Sequence, residues 1–175
     1  TVDAQPTAVS ITPPTPAAFC EGGSVALVAS GGTIGGTNNV TSGTISIAIP
    51  DVNATGVNNS LAVAGIPGGA TIDSVIVTMS ITHGFVEDLV VSLEAPNGQI
   101  INLADGVAGV TGSAFTGTRI TSNNSAPALL GATAGHAGTY RADASTSGFQ
   151  LAPVVLPTTA TWSSLFGTPN GTWRL

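Results

Sequence analysis

His83, Asp88 and Ser92 lie close enough in the chain to suggest the base, acid and nucleophile of a hydrolase. That chemistry needs the serine on an exposed, sharp turn, where its hydroxyl meets a substrate carbonyl and a neighbouring imidazole. No Gly-x-Ser-x-Gly elbow occurs in the chain, and Ser92 sits inside an alternating apolar pattern, so the three residues are not expected to act as a triad. Hard oxygen ligands are better supplied. Asp51, Asp73, Glu87, Asp88, Asp105 and Asp143 stand in a chain without lysine, several of them next to Gly or Asn residues whose carbonyls can complete a calcium shell. There is neither an EF-hand loop nor a tandem Gly-Gly-x-Gly-x-Asp array, so any calcium must be held by loops that meet in space. Asp88 and Asp105 are the leading pair of ligands, with Asp51 and Asp73 behind them. Zinc is disfavoured, because the chain holds two histidines and the single Cys20.

The elements that would position these groups are strands. Val75, Val77, Met79 and Ile81 fall on one side of an extended chain and Ser74, Thr78 and Ser80 on the other. Leu89, Val91 and Leu93 then point inward while Ser92 and Glu94 point outward. Pro96-Asn97-Gly98 supplies a turn before Gln99-Ile100-Ile101-Asn102-Leu103, so this stretch is a hairpin. Further strands are expected where Ile45, Ile47 and Ile49 alternate, over Ser60–Ile66, and at Leu165-Phe166-Gly167. After Leu103 the sequence loosens through Gly106, Gly109, Gly112 and Gly117, with one strand expected around Phe115, and a loop-rich region runs on to about residue 150, broken by Gly138-Thr139-Tyr140-Arg141.

Composition bounds the class. The 175 residues are 42% hydrophobic and 5% aromatic, with 23 Gly and 11 Pro, which suits short strands with punctuated ends in one domain with a real core. Charged residues make up 7% and the formal charge is −6, so no basic groove exists for nucleic acid. The lone Cys20 cannot form an intrachain disulfide, and it reads as a small buried hydrophobe. No window has the length and apolarity of a membrane-spanning helix. A chain beginning at Thr1 is expected after removal of a leader or excision from a larger precursor.

In their order and spacing, several short runs resemble the P domain of proprotein convertases and secreted bacterial proteases. They are Ile49-Pro50-Asp51, Gly69-Ala70-Thr71-Ile72, His83 with Asp88-Leu89, Pro96-Asn97-Gly98, Gly138-Thr139-Tyr140, Leu165-Phe166-Gly167 and Asn170-Gly171-Thr172-Trp173. The resemblance covers about residues 44–175. It implies an all-β, jelly-roll-like β-sandwich over 36–175, often with structural calcium, and a final strand beyond Leu175. It also implies structural roles for four residues. His83 and Asp88 would hold a connection between strands, His83 through its ring and Asp88 by capping amides, while Trp173 and Phe166 would be core. Ile11-Thr12-Pro13 through Phe19-Cys20-Glu21 to Leu27 resembles the opening of an immunoglobulin-like repeat of secreted Bacteroidetes proteins, so residues 1–35 read as an extended linker or partial repeat.

The resemblance implies a non-catalytic accessory module of a secreted or cell-surface protein. Its partners would be neighbouring domains or copies of itself, and its parent could be a subtilisin-like serine protease. A second reading is a filament or adhesin subunit, in which the Val25–Ala29 strand fills a sheet edge of the next copy. A third is a carbohydrate-binding module using an exposed Trp162, although five Phe, two Trp and one Tyr are a thin supply for such a platform. Asn39, Asn53 and Asn170 begin Asn-x-Thr sequons, which matter only in a eukaryotic secretory route.

Overall fold

Alternating β-branched runs and glycine-marked turns build an all-β chain. The structure, a computed structural model, describes residues 10–12, 28–30, 35–50, 53, 56–105, 112, 114–129, 132, 135–143 and 161–175. It divides into two units, Thr1–Asn39 and Val40–Leu175. In the first, β1 (Ser10–Thr12) pairs antiparallel with β2 (Val28–Ser30), with Ile11 opposite Ala29. Val28 and Ala29, the end of the segment expected to be donated to another copy, are therefore paired within their own unit. The remainder of that segment, and Cys20, lie outside the described residues.

The second unit carries two sheets. One has the order β3 (Ser60–Val63), β9 (Gly171–Arg174), β5 (Val90–Glu94), β6 (Ile100–Asp105), with every pairing antiparallel. The other has β4 (Ile76–Thr82), β7 (Ala114–Thr121) and β8 (Thr139–Arg141), with β4 antiparallel and β8 parallel to β7. The β5–β6 hairpin forms around the expected turn. Gly98 N–H donates to the Ala95 carbonyl at 2.8 Å, and Gln99 N–H to the Asn97 side-chain oxygen at 3.1 Å. Gly98 takes φ +76°, a left-handed conformation that glycine adopts without a Cβ penalty.

The alternation read from the sequence matches the burial. Met79, Leu89, Val91 and Leu93 are buried, whereas Ile76 and Val90 on the opposite faces are 49% and 39% exposed. One cluster joins Leu93, Ile101 and Leu103 of the first sheet to Met79, Phe115 and Ile120 of the second. β6 departs from simple alternation, because Ile100 through Ala104 are all buried. Its polar member Asn102 accepts a hydrogen bond from Ser92 Oγ at 2.8 Å, and the Leu103 carbonyl accepts one from Asp143 N–H. Burying an aliphatic side chain completely is worth about 1.5–3 kcal/mol, so this strand is a major anchor of the core.

Two expected strands do not form. Residues 44–50 carry no strand, and Ile45 and Ile47 stand 49% and 45% exposed. The Leu165-Phe166-Gly167 strand is replaced by a 3-10 turn over Trp162–Leu165, with Phe166 at its C-terminal cap. The cause is local. Ser164 Oγ donates to the Thr161 carbonyl at 2.7 Å and Ser163 Oγ contacts Thr161 Oγ1 at 3.3 Å, so the hydroxyls hold the backbone away from a ladder. A 3-10 turn places residues three apart on one side, and Trp162 and Leu165 are accordingly both buried.

Leu103→Ala is expected to lower unfolding stability by about 2–5 kcal/mol in urea titrations, and Ile76→Ala by less than about 0.5 kcal/mol. Equal losses at the two positions would show that β6 does not anchor the core.

Candidate functional site

His83 ends the strand side of the β4–β5 connection. Its Nδ1 lies 2.7 Å from the Phe85 carbonyl and 3.3 Å from the Phe85 amide nitrogen, so the ring binds the loop to itself. The loop then tightens into a 3-10 turn over Val86–Asp88, fastened by the buried Val86, whose N–H donates to the Gly112 carbonyl at 3.1 Å. Asp88 is exposed, and among the described residues its carboxylate makes no amide cap; only its backbone N–H is used, donating to the Phe85 carbonyl. Ser92 spends its hydroxyl on Asn102. His83 and Ser92 thus have separate partners, and no triad is assembled.

The other carboxylates are equally dispersed. Asp73 is exposed on the approach to β4, and Asp105 ends β6 opposite Val90 in register, its side chain lying outside the described residues along with Asp51. Among the described residues no three His, Cys, Asp or Glu side chains converge. Glu94 has a partner, since its Oε2 lies 2.6 Å from Arg174 Nη2 across the β5–β9 pair. With side chains 27% and 46% exposed, that ion pair contributes at most about 1 kcal/mol.

Polar groups converge instead where β9 enters its sheet. Asn170 brackets the backbone of one residue: Ile66 N–H donates to Asn170 Oδ1 at 3.0 Å, and Asn170 Nδ2 donates to the Ile66 carbonyl at 2.7 Å. Gly171 follows with φ +135° and packs against Pro96, where a Cβ would sit 2.7 Å from the proline Cβ. Asn97 Nδ2 donates to the Ser164 carbonyl at 2.8 Å, and Trp173 Nε1 donates to the Pro169 carbonyl at 3.2 Å. Trp173 and Phe166 are half-buried against the core. Beside these bonds an open groove of about 430 Å³ runs between Pro67–Thr71 and Gly167–Asn170. Among the described residues its lining holds no ionisable side chain and offers backbone groups, two threonine hydroxyls and the Asn170 amide.

Trp162 does not serve as an exposed platform for sugars, because only 5% of its surface is accessible and its indole is buried with no hydrogen-bond partner among the described residues. Its place in the 3-10 turn directs it inward. Sequence reasoning missed His136, which is wholly buried at φ +50°. Its ring meets Phe115 edge-on at 5.2 Å, Nδ1 lies 3.2 Å from the Ala114 carbonyl, and its own carbonyl accepts from Thr118 Oγ1 at 2.9 Å. It therefore ties the approach to β8 onto β7. The surrounding Ala, Gly and Thr residues have no periodicity that would announce such a role.

Compared with known proteins, the chain matches no protein-family model, no curated protein and no solved structure.

Asn170→Ala is expected to lose about 1–3 kcal/mol, because the Ile66 amide and carbonyl lose both partners. Gly171→Ala should destabilise too, through its positive φ and the contact with Pro96. Thermal melts of both variants against wild type check this, and an unchanged melting temperature in Asn170→Ala would remove the bracket from the account.

Proposed function

We propose that residues 40–175 form a P domain-like accessory module, a jelly-roll-like β-sandwich that stabilises or docks on neighbouring domains of a secreted or cell-surface protein and performs no chemistry itself. The observation that carries this reading is how the motif residues are used. Of the residues that carry the family resemblance, Asn97 and Asn170 bond chain segments far apart in sequence, Gly171 lets the backbone lie against Pro96, and Trp173 packs against the core. Residues spent on fastening backbone to backbone suit a module whose work is mechanical. The shared core beneath the two sheets supports the sandwich layout.

Calcium belongs to the same reading as a structural ion held by loops, with Asp88 its first ligand and Asp105, Asp51 and Asp73 the further candidates. Hard carboxylates in a chain without lysine are suited to it.

The test is deletion of residues 40–175 from the precursor that contains them. The melting temperature of the remaining domains is expected to fall while any turnover persists below that temperature. Loss of turnover with an unchanged melting temperature would assign chemistry to the module instead. For the ion, calorimetry with added calcium is expected to raise the melting temperature of the chain, and less so in Asp88→Asn. No shift in either protein would remove calcium.

A further inference from the structure

Asn97 and Asn170 are the asparagines of this chain that glycine follows. A glycine after an asparagine leaves its backbone nitrogen open to the asparagine side chain, because no Cβ stands in the way. That nitrogen can displace the side-chain amide, and water then leaves a carboxylate. The two pairs are held in different ways.

Asn170 is half-buried, and its Oδ1 and Nδ2 are both engaged by the backbone of Ile66. Gly171 lies in β9 opposite Val63 and packs on Pro96, so its nitrogen is held in the sheet. Asn97 and Gly98 are exposed in the β5–β6 turn, and nothing lies within 4 Å of where a Gly98 Cβ would stand. The bond from Gln99 N–H to Asn97 Oδ1 at 3.1 Å folds the side chain back along the turn, towards the Gly98 nitrogen, and polarises its carbonyl. Two bonds oppose the reaction, Gly98 N–H to the Ala95 carbonyl and Asn97 Nδ2 to the Ser164 carbonyl, each at 2.8 Å. Both belong to an exposed turn, which opens at far less cost than a strand leaves its sheet.

We propose that Asn97 is a site of spontaneous deamidation, with water as the co-reactant, and that its conversion frees the Trp162–Leu165 turn from the hairpin. The Gly98 nitrogen, its proton taken by hydroxide, bonds to Asn97 Cγ. The Cγ–Nδ2 bond breaks, and that nitrogen takes a proton from water and leaves as ammonia. One water then opens the five-membered imide. Opening at Cγ gives aspartate at position 97, and opening at the main-chain carbonyl gives isoaspartate, whose backbone runs through Cγ. A carboxylate has no hydrogen to give the Ser164 carbonyl and repels its oxygen. Ser164 shares its turn with the buried Trp162 and Leu165, so the core loses a fastening. Isoaspartate also adds a backbone atom to a turn closed by Ala95 N–H and the Gln99 carbonyl. This inference concerns how the fold ages and stands apart from the accessory-module reading.

The full chain is aged in mildly alkaline buffer below its melting temperature and followed by peptide mapping with mass spectrometry. Asn97 is expected to convert to aspartate and isoaspartate at least about tenfold faster than Asn170, a barrier difference of about 1.4 kcal/mol. In urea the two should convert at similar rates, since the difference lies in the fold. Asn97→Asp should melt below wild type, and the aged wild type should move towards it. Aged Asn97→Gln, whose longer side chain disfavours the imide, should melt as it did when fresh. Conversion of Asn170 at an equal or greater rate in the folded chain overturns the proposal. So does an intact Asn97 over a period in which the urea-unfolded chain converts, or an Asn97→Asp variant that melts with wild type.

Discussion

The last strand of the chain sits in the middle of its sheet. β9 lies between β3 and β5, so the four-stranded sheet is not continuous until residues 171–174 have entered it. Every other feature of that end serves this insertion. Asn170 fixes the entry point on Ile66, Gly171 allows the backbone to pass against Pro96, and Arg174 meets Glu94 at the one register position β9 shares with β5. The bonds join residues as far apart in sequence as Ile66 and Asn170, so their loop-closure entropy must be met before the sheet yields its hydrogen bonds. Such a topology folds slowly for its size. It also explains why the connecting bonds come from asparagine side chains, which can serve the donor and the acceptor of one residue's backbone at once.

What was legible in the sequence is what depends on neighbours a few residues away. The faces of β4 and β5 follow from period-2 alternation, and the β5–β6 hairpin follows from Pro96-Asn97-Gly98, whose backbone and side-chain bonds close the turn without help from the rest of the chain. Three features were not legible, each for a separate reason. Ile45, Ile47 and Ile49 have the pattern of a strand, but a pattern states what a strand would bury and not whether a ladder partner exists. Residues 161–165 carry apolar side chains beside hydroxyls, and the local bonds of Thr161, Ser163 and Ser164 prevail over extension. His136 owes its place to Phe115, Thr118 and Ala114, which approach only after β7 is in the sheet.

The site was less legible than the fold because the chemistry-bearing residues are few and far apart. His83, Asp88 and Ser92 look adjacent in sequence, but Asp88 ends a 3-10 turn while Ser92 lies within the strand that follows, and His83 and Ser92 are drawn to the nearest backbone or strand neighbour. A chain with 7% charged residues has little with which to build a cluster of mutually perturbing carboxylates and imidazoles. Among the described residues its polar contacts are mostly amide and hydroxyl bonds, which fix geometry.

That economy of charge has a consequence for the surface. A sheet protein ordinarily keeps its copies apart by placing lysines and inward charges along open strands, and this one has no lysine at all. Its protection against unspecific pairing must come from net charge and from strand length. β3 is four residues long and β8 three, too short to template an extended ladder. β5 and β7 are interior and the outer side of β6 is engaged by the Asp143 amide, but the seven-residue β4 is an edge of its sheet. Shortness and cover therefore manage every edge but that of β4, which among the described residues is paired on one side alone.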